Sequence, residues 1–241
     1  AMLVGLYVSW NQSRDRFTIL LYRYTEGSEE EQIVRTQMML TQIRPHFIYN
    51  ILASIQVLCL KDPQKAAGAV ACFSSYLRGN MDAIGNENLV PFPYELAHVE
   101  NYVTLERIRF GEKLKVCYEF EKGWDMDFDI PVLSLQPIVE NAIKYGVGDK
   151  KGGGTVWSSV RREGDSALVE IRDDGVGVDA RNLNELPIRD DGKTHVGLHN
   201  VQARVKLMAG GSLEFFSKKD WGTIVTIKVP WRRKTHEYTG S

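Results

Sequence analysis

QPIVENAIKYG, residues 136–146, places Glu140, Asn141 and Lys144 on a helix whose Ile138, Val139 and Ile143 point toward a core. It is the first of four short stretches whose order decides the fold. Glu140 and Lys144 make the favourable i, i+4 pair of a solvated helix face. The adjacent Glu140 and Asn141 also offer Mg2+ one oxygen ligand and a carboxylate to hold a metal-bound water, as an octahedral, phosphate-bound ion prefers. In the second stretch, RDDGVGVD (172–179), a β-rich run ends at Asp173. A carboxylate there can be buried against a ligand's donor, while Gly175 and Gly177 let a purine ring approach the backbone. Asp-Gly is also the commonest hairpin signal, but a hairpin has no use for the second glycine. The third stretch is THVGLHNVQARV (194–205), in which Gly197 and Leu198 open a helix whose free N–H groups suit phosphate oxygens. The fourth, GTIVTIKVP (222–230), begins a last strand with Gly222 and Thr223.

Outward from these, LKVCYEFE (114–121), GTVWSSVRR (154–162), SALVEIRD (166–173) and GSLEFFS (211–217) read as further strands bounded by glycines or charged turns. Helices are predicted over about 133–145 and 198–208, and the glycine-rich run 174–196 reads as a mobile lid, too long for an ordinary connection. Strands and helices in this order predict an α+β sandwich with helices on one face of a mixed sheet. Upstream the period is helical throughout. Ile33, Leu40, Ile43, Phe47, Ile51, Ile55 and Leu58 predict one long helix over 28–60, with Ser28 and Glu31 as a capping box. Asp62-Pro63 breaks it before a second helix over 64–79, and a third spans 94–110. The first two form an antiparallel hairpin whose apolar face is wide enough to pair with a copy of itself as a four-helix bundle. The expected division is 1–27 unassigned, 28–90 helical dimerisation region, 91–232 catalytic domain and 233–241 tail. Residues 3–25 carry two β-prone runs without an assigned role.

Composition narrows the function classes. With 30 basic and 31 acidic side chains, a net charge of −1 provides no field for nucleic acid or an anionic membrane, so any phosphate site is local. The apolar runs around 2–8 and 19–22 fall short of a bilayer span, and no cleavable signal is present. A soluble fragment cut from a membrane protein has the same appearance. Cys59, Cys72 and Cys117, odd in number and far apart, point to reduced thiols in a cytosolic compartment. His195 and His199 have the i, i+4 spacing of a metal pair, but no third ligand accompanies them.

Taken in order, ENAIKYG, DDGVGVD, VGLHNV and GTIVTI resemble the N, G1, G2 and terminal glycine boxes of the ATP-binding fold shared by histidine kinases, gyrase-type ATPases and Hsp90-type chaperones. Upstream, QIRPHFIYN (42–50) resembles the phosphoacceptor helix of LytS/YesM-type sensor histidine kinases, and HVENYVTLERIRFGEKL (98–114) resembles that family's connecting segment. The resemblance implies an ATP-dependent protein-histidine kinase acting as a homodimer. It would be the cytoplasmic portion of a bacterial membrane sensor, reaching the membrane only through segments absent from this chain, and would pass its phosphoryl group to a response regulator. His46 would be the nucleophile, Asn50 one turn on would orient its ring, and Pro45, without an N–H for Thr41, would bend the helix beside it. Glu140 would assist proton or water handling, Asn141 would bind Mg2+ with Glu140 beside it, and Asp173 would accept from the adenine amine. Lys144, Tyr145, Gly175, Gly177, Gly197, Leu198 and Thr223 would line the nucleotide. Three positions depart from the family pattern: Tyr145 replaces a histidine, Asp174 an asparagine, and His195 the first glycine of the G2 loop, where Lys193 and Thr194 are alternative phosphate contacts. The alternative these departures raise is a catalytically impaired pseudokinase that binds nucleotide and signals by dimer conformation.

Overall fold

The computed structural model describes residues 45–83, 89–120, 126, 128–186 and 196–231. The capping box, the whole of the 1–27 segment, residues 187–195 of the expected lid and the 233–241 tail lie outside them. So does the expected helix before Pro45, and with it the expected bend.

Helices α1 (Pro45–Lys61) and α2 (Pro63–Ala83) form the hairpin. Asp62 makes the break: its carboxylate accepts from the Lys65 N–H at 3.0 Å, and Pro63 lacks the N–H that a continuous helix needs. Phe47, Ile51 and Ile55 recur every four residues on α1 and are buried against α2 and the next helix. A second apolar face is left open, with Leu52 48% exposed, Val57 50%, Leu60 89% and, on α2, Val70 52%. α2 runs past Gly79 to Ala83 because Tyr76 and Asn80 are buried there, and packing outweighs the helix cost of one glycine.

Strand β1 (Leu89–Pro91) leads into α3 (Phe92–Phe110). β1 pairs antiparallel with β3 (Asp129–Pro131) in a two-stranded ladder that no sequence period announces, since each strand is three residues long and ends in proline. The main sheet has five strands: β2 (Leu114–Phe120), β4 (Gly154–Glu163), β5 (Ser166–Asp173), β6 (Ser212–Lys218) and β7 (Gly222–Pro230). Their spatial order is β2-β4-β5-β7-β6, with β2 parallel to β4 and every other pair antiparallel. The parallel pair needs a long crossover, and that crossover carries α4.

α4 (Gln136–Asn141) begins later than expected and widens into a π-helical turn over Ala142–Val147, closed by the Gly148 N–H on the Ile143 carbonyl at 2.7 Å. α4 and its wide turn, together with α5 (Val196–Ala209), cover one sheet face. Val156, Val160, Val169, Ile171, Phe215, Val225 and Ile227 fill the core between these layers, as the α+β sandwich reading requires.

Candidate nucleotide-binding site

β5 ends at Asp173, whose side chain is 4% exposed. Burial pushes its carboxyl up to about 6; the N–H of Gly175, 2.9 Å from Oδ1, and the N–H of Thr223 oppose the shift, while Asp174 adds repulsion. A buried carboxylate with spare acceptor capacity suits a ligand donor such as an exocyclic amine. The glycines around it allow the approach. A Cβ on Gly146 would lie 2.5 Å from Asp173 Oδ1, and one on Gly175 would overlap the Gly146 backbone. The extra residue in the π turn carries Gly146 up to this point, where its carbonyl accepts from Val176 at 3.3 Å. Single π turns inside helices often mark functional sites. Gly177 has φ 57° and packs against the Lys218 carbonyl, a position closed to other residues.

On α4, the Asn141 side-chain oxygen is buried and without a hydrogen-bond partner. A buried oxygen left so is costly unless a ligand or ion completes it. Glu140 adjoins it, half-buried. Lys144 Nζ donates to Tyr145 Oη at 2.9 Å and lies 4.6 Å from that ring, so the tyrosine in the place of a histidine holds the lysine by a neutral hydroxyl. Thr223 is tied at 2.9 Å to Ser217, whose hydroxyl also donates to the Gly222 carbonyl at 3.1 Å.

The fold brings Asp173, Gly175 and Thr223 together, with the Ala142 to Val147 turn packed beside them and Asn141 one residue before that turn. Gly197 stands apart at the opening of α5, with open space where its side chain would be. Leu198 turns inward: it is 4% exposed and packed in the core. His46 lies on α1, exposed, and its hydrogen-bond partner is Asn50 on the same helix, whose Nδ2 is 3.2 Å from Nδ1 and 3.4 Å from Nε2.

Polar contacts that no sequence period reveals also build the site. Asp174 accepts from the Thr155 N–H at 2.8 Å and pairs with Lys150 at 3.4 Å, pinning the G1 loop to the start of β4. The lysine and glycine run 150–154 was the available signal. Glu95, buried in α3, accepts from the N–H groups of Leu133, Ser134 and Leu135 at 2.7, 3.0 and 3.2 Å, and so caps the approach to α4. Arg204 of α5 grips the carbonyls of Val132 and Leu133 at 3.0 and 3.1 Å. No period reveals such long-range polar bonds.

A sandwich of this topology, with an Asp at a strand end and facing glycines, defines an ATP-binding domain of the type that residues 127–233 match as a family: histidine kinase-, DNA gyrase B-, and HSP90-like ATPase. Residues 34–114 match the family described as histidine kinase. The YwpD protein of Bacillus subtilis is 32% identical over 201 residues, covering 82% of this chain and 71% of that protein. The sensor histidine kinase YpdA of Escherichia coli K12 is 33% identical over 193 residues, covering 80% of this chain, and the sensor protein LytS of Streptococcus mutans is 27% identical over 216, covering 86%. The chain spans 34% and 37% of the length of those two sensors. Among solved structures, the histidine kinase domain of the Erythrobacter litoralis EL346 blue-light activated kinase matches with a TM-score of 0.48 at 15% identity, over 91% of this chain and 96% of that one. The chain belongs to the histidine kinase family.

Proposed function

We propose that this chain is the transmitter part of a two-component sensor, in which His46 takes the γ-phosphoryl group of ATP and passes it to an aspartate of a response regulator. The observation that carries the site assignment is the unpartnered, buried oxygen of Asn141 at the end of α4, just before the π turn that packs against Asp173. That oxygen fits Mg2+, with Glu140 beside it to hold metal-bound water; the ion, when bound, neutralises charge developing on the phosphates.

Asp173 accepts from the adenine amine while Gly146, Gly175 and Gly177 admit the ring. Lys144 is poised to turn from Tyr145 to a phosphate, and the N–H groups opening α5 at Gly197 suit the phosphate oxygens. A His46 ring nitrogen then attacks the γ-phosphorus through its lone pair. The N–P bond forms, the bond to the bridging oxygen breaks, its electron pair leaves with ADP, and the ring's remaining N–H proton passes to Glu140 or solvent. Asn50, bonded to the ring, limits its rotation. The open apolar face of Leu52, Val57, Leu60 and Val70 supports a homodimer through α1 and α2. Attachment to a bacterial membrane through other segments of a longer protein accords with relatives named as sensors; no described helix is long and apolar enough to cross a bilayer.

Incubation with γ-labelled ATP and Mg2+ tests the reading. An acid-labile, base-stable label is expected, and His46→Gln should bind ATP yet take up none. Label surviving acid would point to a hydroxyl such as that of Tyr49 and defeat it, and nucleotide binding without any label would favour the pseudokinase.

A further inference from the structure

Along α3, Glu95, His98, Tyr102 and Glu106 follow one another at three- and four-residue spacing, so they share one helix face. All are buried, at 1, 6, 2 and 2% exposure. Four polar side chains on one buried face are costly unless each is partnered. Glu95 is partnered by the backbone before α4, His98 by Gln136 and Tyr102 by Glu106 at 3.0 Å, while Glu106 Oε2 lies 3.1 Å from Arg109 Nε as an ion pair but accepts no hydrogen bond.

The His98 contact leads furthest. Its Nε2 is 2.6 Å from Gln136 Oε1, and Gln136 Nε2 donates to Tyr76 Oη at 2.8 Å. The Tyr76 ring stacks on His98 with centroids 5.5 Å apart and planes 4° from parallel. Gly79 lets the α2 backbone press on the imidazole, since a Cβ there would overlap Nδ1. Burial holds the His98 pKa below its ordinary value, which keeps a neutral ring with one N–H to give. On the other side, Phe47 packs 5.1 Å from Tyr76 and 5.2 Å from Tyr102. Phe47 adjoins His46, and Gln136 is the first residue of the helix that carries Glu140 and Asn141. A continuous contact therefore runs from the acceptor's helix through α2 and α3 to the metal-binding helix.

An apolar joint of the same area would hold these elements together but let them slide. Two hydrogen bonds on a single amide, with a stacked pair beside them, fix direction as well as distance. Phosphoryl transfer needs that, because reacting atoms must approach to about 3–3.5 Å and a misplacement of about 1 Å can cost 10²-fold.

Building on the kinase reading, we propose that Gln136, held between His98 and Tyr76, is a positioning residue for phosphoryl transfer, fixing α4 and its nucleotide relative to the hairpin that carries His46. Gln136→Met keeps length and packing while removing both hydrogen bonds. In the whole chain it should leave the ATP dissociation constant within about twofold and slow single-turnover labelling of His46 roughly 10- to 100-fold. Tyr76→Phe removes one of the two bonds and should slow labelling less. The double variant should be no slower than Gln136→Met alone, since both act on one joint.

A second readout does not depend on catalysis. Spin labels on the exposed Cys59 of α1 and Cys117 of β2 report the distance across the joint. In a Cys72→Ser background, diluted with unlabelled chain, the distribution should be broader in both variants than in the parent. Labelling that falls only in step with ATP affinity, additive effects of the two changes, or an unchanged distance distribution would each overturn the proposal. If the parent takes up no label, the kinase reading fails by itself, and the distance distribution still decides whether the joint positions the two parts.

Discussion

Around Asp173, Gly146 and Gly175 are pressed against each other and against the carboxylate, and Gly222, at φ 114°, lies against the Asp173 carbonyl. At the opening of α5, Gly197 has no heavy atom within 4 Å of where its Cβ would stand. The two regions use glycine for different ends. In the first it removes a side chain so that three backbone segments can close around one carboxylate, and the shape exists before any ligand arrives. In the second it leaves open, among the described residues, the space where a side chain would stand. On the proposed reading, the base-reading end is preformed, whereas the end assigned to phosphates is left free to adapt.

Gly175→Ala should break the first region hardest. Its methyl group overlaps backbone rather than a movable side chain, and forced overpacking of this kind costs about 1–3 kcal/mol. Denaturant unfolding should show that loss, together with ATP affinity at least roughly tenfold weaker; unchanged affinity would mean the cleft is not preformed. Asp173→Asn comes next. It keeps the shape and loses a hydrogen bond to a charged group, about 1.5–3 kcal/mol, so nucleotide binding should weaken roughly 10- to 100-fold while the unfolding midpoint moves little. Affinity equal to the parent's would remove Asp173 from the site.

A smaller effect follows from the same carboxyl. Folding raises its pKa from 3.8 to about 6, so between those values the folded chain holds a proton that the unfolded chain has released. Its contribution to stability therefore falls as pH rises through that window. Adenine needs the charged form, so binding runs the other way and strengthens as pH rises through about 6. Calorimetric titration with adenosine, which has no phosphate to confuse the reading, should show proton release near pH 6. A pH-independent affinity between 5 and 7 (about one unit either side of the shifted value) would contradict this.

The contrast also explains what the sequence made legible. All five strands of the main sheet, and the helices predicted over 64–79, 94–110 and 198–208, stand within a few residues of their predicted bounds, because each alternates or repeats against one core; the start of the helix predicted over 28–60 lies outside the described residues. Asp173 and its glycines were visible since a second glycine after Asp-Gly serves no turn. The π turn was hidden, as Ala142 to Val147 keeps an ordinary helical pattern while its hydrogen bonds shift by one residue. Equally hidden were Glu95, Gln136 and Arg204. They look like surface residues of amphipathic helices, yet Glu95 and Gln136 are buried and Arg204 half-buried through partners 38 to 72 positions away. His46 was singled out only through its neighbours in QIRPHFIYN, for a lone exposed histidine on a helix has no pattern of its own.

The smallest expected effect belongs to Gly197→Ala, and it bears most directly on the contrast. The added methyl meets open space, and position 197 lies in the first turn of α5, where alanine favours helix over glycine by up to about 1 kcal/mol. Stability should therefore be equal or slightly higher. Any phosphate contact here is made by backbone N–H groups, which alanine retains, so ATP affinity should stay within about twofold of the parent, a change of less than about 0.5 kcal/mol. Because the same chemical change at Gly175 should be costly, the pair of variants compares crowding with openness at constant side-chain chemistry. A drop of tenfold or more in ATP affinity for Gly197→Ala, with stability intact, would mean that the loop closes on the nucleotide into a conformation only glycine adopts. The phosphate end would then be as exacting as the base-reading end once ATP is bound.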